Sequence, residues 1–240
     1  MKKLASILAA TIFSVSVSSV NAEMLSFGIS ANGGILDATG KETFNSKTST
    51  RSEELAIAYV SGFAELHLPI PVGPGNIRVG VSYVPYGLES EATSSSRAEG
   101  ESGNTSGATG CNVACTSTPK AAFTQKVQVD MEDLRSMYVS YHMDMFFLKA
   151  GYTEADLITN EDLGSGSTYG NAKLEGTFLA IGFDKPFTSG KFDGMFIRGE
   201  ASASEFDSIS LTSTGSDNTN VIDISGLDGM NVAFSIGKSF

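Results

Sequence analysis

Five charged side chains stand inside otherwise apolar or small-residue stretches: Arg78 in NIRVGVS, Lys149 in FFLKAGY, Asp184 in AIGFDKP, and Arg198 with Glu200 in FIRGEAS. Charges so placed have three uses: they pair with one another, line a path for ions, or move protons. An unpaired charge in a confined interior is costly, so pairing is the use that energetics favours. Nucleophilic catalysis needs a hydroxyl or thiol beside a base. The only imidazoles are His67 and His142. The only thiols, Cys111 and Cys115 in GCNVACTS, have neither a histidine nor a second cysteine pair nearby. The oxygen-rich runs NED at 160–162 and SDNTN at 216–220 lack calcium-loop spacing, so no metal and no cofactor is expected. No glycine-rich phosphate loop follows a strand and opens a helix.

The elements that carry these residues alternate with period two. Met230, Val232, Phe234, Ile236 and Phe240 share one parity, and Asn231, Ala233, Ser235, Gly237 and Ser239 the other. A strand sends successive side chains to opposite faces, so one face is apolar and the other small or polar. The pattern repeats at Leu25–Ile29, Ile77–Tyr83, Met137–Tyr141, Phe146–Tyr152, Leu179–Phe183 and Met195–Ala201. It is least clean at Leu55, Ile57, Tyr59 and Phe63, where the other parity (Ala56, Ala58, Val60) is also apolar. Eight strands are predicted, at 24–32, 53–67, 76–90, 124–142, 145–159, 171–184, 191–210 and 222–240. The spacers alternate long and short: 33–52 long, LPIPVGPG at 68–75 short, 91–123 longest, a turn around Asp144, 160–170 long, 185–191 short, 211–221 long.

An up-and-down antiparallel sheet with two unlike ends has such spacers. In an outer-membrane barrel the periplasmic turns are short and the external loops long. The expected fold is therefore an all-β, eight-stranded, antiparallel transmembrane barrel. Arg78, Lys149, Asp184, Arg198 and Glu200 fall on the small-residue parity, which faces a narrow lumen in this arrangement, with charges in balance. A soluble barrel with its apolar face inward fits the composition equally well. The two ends of the sequence select the membrane form.

MKKLASILAATIFSVSVSSVNA has a basic start, a short apolar stretch and small residues up to Ala22, the layout of a secretory signal peptide. Cleavage after Ala22 leaves residues 23–240 as one barrel domain. Export makes a Cys111–Cys115 disulfide the expected pairing, closing so small a loop that its stabilising effect is modest. The formal net charge of −11 and the lack of a basic patch argue against nucleic acid as a partner. Beyond the signal, no apolar run is long enough for a spanning helix.

The run NVAFSIGKSF resembles the C-terminal strand of Gram-negative outer-membrane β-barrel proteins. Val232, Phe234, Ile236 and Phe240 match its alternating apolar positions and terminal aromatic, and Lys238 departs from it. The resemblance implies reading of this strand by the barrel-assembly machinery. The whole chain resembles the small eight-stranded barrels of the OmpA-transmembrane, OmpX and OmpW type. That implies a location in the bacterial outer membrane among lipid and lipopolysaccharide. It also implies a structural or surface-interaction role with a ligand for the external loops, or, in the OmpW manner, a narrow channel for ions or small solutes. No enzyme is expected: His67 and His142 both lie near short-turn strand ends, away from the outer leaflet where lipid-modifying barrels work.

Overall fold

In the computed structural model, the described residues are 24–44, 47–89, 93–97, 123–162, 168–214 and 221–240. Cys111, Cys115 and the predicted signal segment lie outside them. The strands are β1 (Leu25–Phe44), β2 (Lys47–Val72), β3 (Gly75–Tyr83), β4 (Leu88–Glu89), β5 (Thr93–Arg97), β6 (Phe123–Met143), β7 (Phe146–Asp162), β8 (Ala172–Pro186), β9 (Met195–Phe206), β10 (Ile209–Thr212) and β11 (Val221–Ser239). Every pairing is antiparallel, in the order β1-β2-β3-β6-β7-β8-β9-β11, and β11 returns to β1. The ring closes with Ser26 opposite Ser239 and Gly28 opposite Gly237. At the seam, Met24 N donates to Phe240 O and Phe240 N to Leu25 O, both at 2.8 Å. Closure leaves no free sheet edge within the ring, the condition for crossing hydrocarbon with strands.

The three short strands are continuations. β4 and β5 extend β3 along β6, and β10 extends β9 along β11 with Asp207 and Ser208 between. Eight strand paths therefore make the wall. The nine residues of β3 are its shortest span, about the length one tilted membrane crossing needs.

At one end the connections are tight. Gly73 at φ 59° turns β2 into β3, Asp144 at φ 56° turns β6 into β7, and a 3-10 turn at Gly190–Phe192 joins β8 to β9. Met24 and Phe240 lie together at this turn end. At the opposite, loop end, β1 and β2 stay paired out to Phe44 opposite Lys47. The span 33–52, expected as a loop, is thus mostly paired strand. Its Gly and Thr residues satisfy the period of two as well as they satisfy a loop. Similarly, Pro69 and Pro71 belong to the end of β2 and not to a turn. The register shifts between Leu68 and Pro71, which accommodates residues without an N–H.

The barrel is apolar outside. Ile29, Met137, Phe146, Leu148, Leu179, Ile181, Met230, Val232 and Phe234 all project outward and exposed, Leu179 at 69%. Ser26, Ser30, Ser61, Glu65, Ser140, Lys149, Asp184, Arg198 and Ser235 are buried inside. This is the reverse of a soluble protein and the arrangement of a transmembrane barrel. β2 corrects the sequence reading. Ile57, Tyr59 and Phe63 point inward, and Ala56, Ala58 and Val60 outward. With both parities apolar, only the register against β1 and β3 decides the face.

Candidate functional site: the closed lumen

Glycines on the lumen face make room for the interior. Gly28 lies opposite Phe63, Gly80 opposite Tyr138, Gly182 opposite Phe147 and Gly237 opposite Phe196 on adjacent strands. Each ring folds over its glycine, and a Cβ on Gly80 would fall 2.5 Å from the Tyr138 ring. The rings of Phe63, Phe147 and Phe196 then surround the buried Arg198 guanidinium at 5.2, 5.1 and 5.3 Å, a cation–π cage.

Arg198 is the hub. Its Nη1 and Nη2 donate to the two carboxylate oxygens of Glu65 at 2.6 and 2.8 Å. Its Nε and Nη2 donate to Asp184 Oδ1 and Oδ2 at 2.6 and 3.2 Å. One planar fork thus holds two carboxylates, the geometry for which arginine is suited. Arg78 Nη1 donates to Asp184 at 3.0 Å and lies 3.5 Å from Glu65. The Tyr138 hydroxyl donates to Glu65 at 3.0 Å. Two carboxylates and two guanidiniums leave no net charge. A second pair joins buried Lys149 to half-buried Glu200, with the Lys149 ammonium 4.4 Å from the Tyr138 ring centre.

The structure therefore brings Arg78, Asp184 and Arg198 into one network and sets Lys149 and Glu200 beside it as a separate pair. Glu65, 1% exposed, is the residue that sequence reasoning missed. It sits on the strand with ambiguous parity. The expectation of balanced charge does not hold for the five predicted residues, which are three cations and two anions; Glu65 supplies the missing acid.

His142 joins the network at Asp184. Its Nδ1 lies 3.2 Å from Asp184 Oδ2, and its Nε2 lies 2.9 Å from Ser140 Oγ. With Nδ1–H donating to the carboxylate, Nε2 of a neutral ring accepts from Ser140. The connectivity is that of a Ser–His–Asp relay. The surroundings are not. Ser140 is 1% exposed, and Asp184 already accepts from two guanidiniums. Neither Ser140 nor His142 lines the cavity described next. A substrate carbonyl has no place to sit. His67 shares a hydrogen bond with buried Ser26 at 2.8 Å, also at the turn end. Among the described residues no group of three or more His, Cys, Asp or Glu side chains could hold a metal ion.

Towards the loop end the lumen opens into a cavity of about 140 Å³, with Tyr138, Lys149, Arg198 and Glu200 in its lining. An apolar cluster of Ala155, Leu174, Ile209 and Leu227, backed by Met131, Leu134 and Phe206, fills the interior beyond it. At the other end of β11, Phe234 and Val232 face outward, and the Phe240 ring stands 6.3 Å from Phe27 and 5.0 Å from the Lys238 ammonium.

No protein-family profile and no curated protein matches this sequence. Among solved structures the chain is similar to the outer membrane protease OmpT from Escherichia coli, at 10% identity and a TM-score of 0.38, covering 95% of this chain and 100% of that one. It is also similar to Neisserial surface protein A, at 6% identity and a TM-score of 0.29, covering 89% and 97%. A third similar structure is a Pseudomonas aeruginosa FadL homologue, at 8% identity and a TM-score of 0.32, covering 90% of each chain.

Proposed function

We propose that this protein is a structural and surface-interaction barrel of a bacterial outer membrane, with its lumen held shut by its own charges. The observation that carries this reading is the neutral network of Glu65, Arg78, Asp184 and Arg198, bonded across the ring and packed by three phenylalanines. An eight-stranded interior is about filled by side chains, and here the filling is ionic and paired. Ions would have to separate charges that are already neutralised.

The outward apolar wall suits lipid, and above the turn-end half the strands project as paired ribbons. Their exposed residues include Glu54, Glu205 and Asp228, a rim that favours a cationic surface ligand and, beside anionic lipopolysaccharide, bridging cations. The barrel-assembly machinery is the partner in biogenesis, acting on Val232, Phe234, Ile236 and Phe240. A non-enzymatic role is supported by the Ser140–His142–Asp184 relay, which among the described residues is sealed from substrate.

Two measurements on protein purified from outer membranes test this. Gel mobility should be heat-modifiable, as expected of a closed barrel. In planar bilayers the chain should give no steady single-channel steps. Regular steps whose size changes on Glu200→Ala would replace the closed reading with a narrow channel.

A further inference from the structure

We infer that the turn end of the barrel wall binds an anionic phospholipid, its phosphate held between Lys185 and Lys238 and one acyl chain laid along β9. The inference rests on the membrane orientation proposed above and names the lipid that this part of the wall selects. Lys185 on β8 lies opposite Ile197, and Lys238 on β11 lies opposite Met195, so the two stand on either side of β9. Two strand spacings separate their backbones by roughly 10 Å, close enough for two long side chains to reach one phosphate. Both are exposed, and none of the ion pairs among the described residues uses them. Ser239 N donates to Gly194 O at 2.8 Å, which ties the end of β11 to the turn between β8 and β9. The Lys238 ammonium stands 5.0 Å from the ring centre of exposed Phe240. The loop-end rim is acidic at Glu54, Glu205 and Asp228, so the two ends of the wall have opposite preferences for charge.

Next to the lysines the wall is shaped for a chain. Gly199 and Ala201 on β9 form a floor between Phe183 and Ile181 on β8 and Phe234 and Val232 on β11, their register partners. The four flanking side chains are exposed and stand as ridges along an outward groove. Any acyl chain could lie there, so the groove by itself selects no lipid. The lysines select by charge. Phosphatidylglycerol has no cation in its headgroup and keeps the full phosphate charge for them, whereas the choline of phosphatidylcholine neutralises its own phosphate. Basic side chains at a lipid surface favour the first of these.

The test uses the mature barrel refolded into vesicles of equimolar phosphatidylglycerol and phosphatidylcholine, with the retained lipid identified by native mass spectrometry. Phosphatidylglycerol should be retained over phosphatidylcholine by at least about fivefold, the effect of one lysine near a lipid surface. Lys185→Gln/Lys238→Gln should abolish the preference. Lys41→Gln/Lys173→Gln removes the same charge from exposed positions at the loop end and should leave the preference unchanged. Ala201→Leu, which fills the groove and keeps both lysines, should weaken retention. Heat-modifiable mobility verifies that each variant is folded. The inference is overturned by equal retention of the two lipids in the unaltered barrel, by a preference that survives Lys185→Gln/Lys238→Gln, by an equal loss in the loop-end variant, or by undiminished retention in Ala201→Leu. A barrel that inserts and shows no preference refutes the lipid site alone; a chain that does not insert refutes the membrane reading with it.

Discussion

Replacing Arg198 with methionine keeps most of the side-chain volume and removes the hub of the lumen. Four hydrogen bonds to Glu65 and Asp184 are lost. Two carboxylates then face the single guanidinium of Arg78, so the network goes from neutral to one net negative charge. Breaking a buried pair while leaving its partner behind costs about 3–5 kcal/mol. Glu65→Gln alone leaves the opposite imbalance, two guanidiniums against Asp184, and should cost a comparable amount. The double variant Glu65→Gln/Arg198→Met is neutral again, with Arg78 on Asp184 at 3.0 Å. Its loss should fall short of the sum of the single losses by about 2 kcal/mol or more, a coupling energy within the range for residues in one network. The assay is urea unfolding of the barrel in lipid vesicles, followed by gel mobility and far-ultraviolet circular dichroism. The chain has no tryptophan to report on folding. Additive losses, with coupling below about 0.5 kcal/mol, would refute the claim that charge balance closes this lumen.

Four further outcomes follow from the same structure. Gly80→Ala places a Cβ 2.5 Å from the Tyr138 ring and should cost about 1–3 kcal/mol, read as a lower temperature of the gel mobility transition; an unchanged transition would mean the ring does not pack there. Leu179→Arg puts a charge on the lipid face and should cost up to about 2–4 kcal/mol in vesicles, whereas a water-soluble variant with undiminished stability would contradict the membrane orientation. Phe240→Ala removes the aromatic match while leaving its backbone bonds to Met24 and Leu25; outer-membrane yield in cells should drop with little change in the unfolding midpoint of the refolded protein, and an equal yield would show that assembly does not read this residue. A fluorophosphonate probe should leave Ser140 unlabelled in the folded barrel, and labelling that disappears in Ser140→Ala would expose a working nucleophile.

The sequence by itself determined what is local and periodic. Alternation along Phe146–Tyr152, Leu179–Phe183 and Met230–Ile236 specifies strand and face at once, because successive side chains of a strand must point to opposite sides. The eight strand paths and the tight turns at one end follow from the same pattern, but the spacer 33–52 did not read as the paired strand it is. What only the tertiary structure decided is contact around the ring. Ile57, Tyr59 and Phe63 sit between two apolar parities, so their inward direction comes from pairing with β1 and β3. Glu65 and Arg198 are far apart in sequence and do not lie on neighbouring strands. Their bidentate contact across the lumen exists because the registers of all eight strand paths, closed by β1 on β11, bring both side chains to one level. A period of two records which way a side chain points, and closure of the barrel fixes what it meets there.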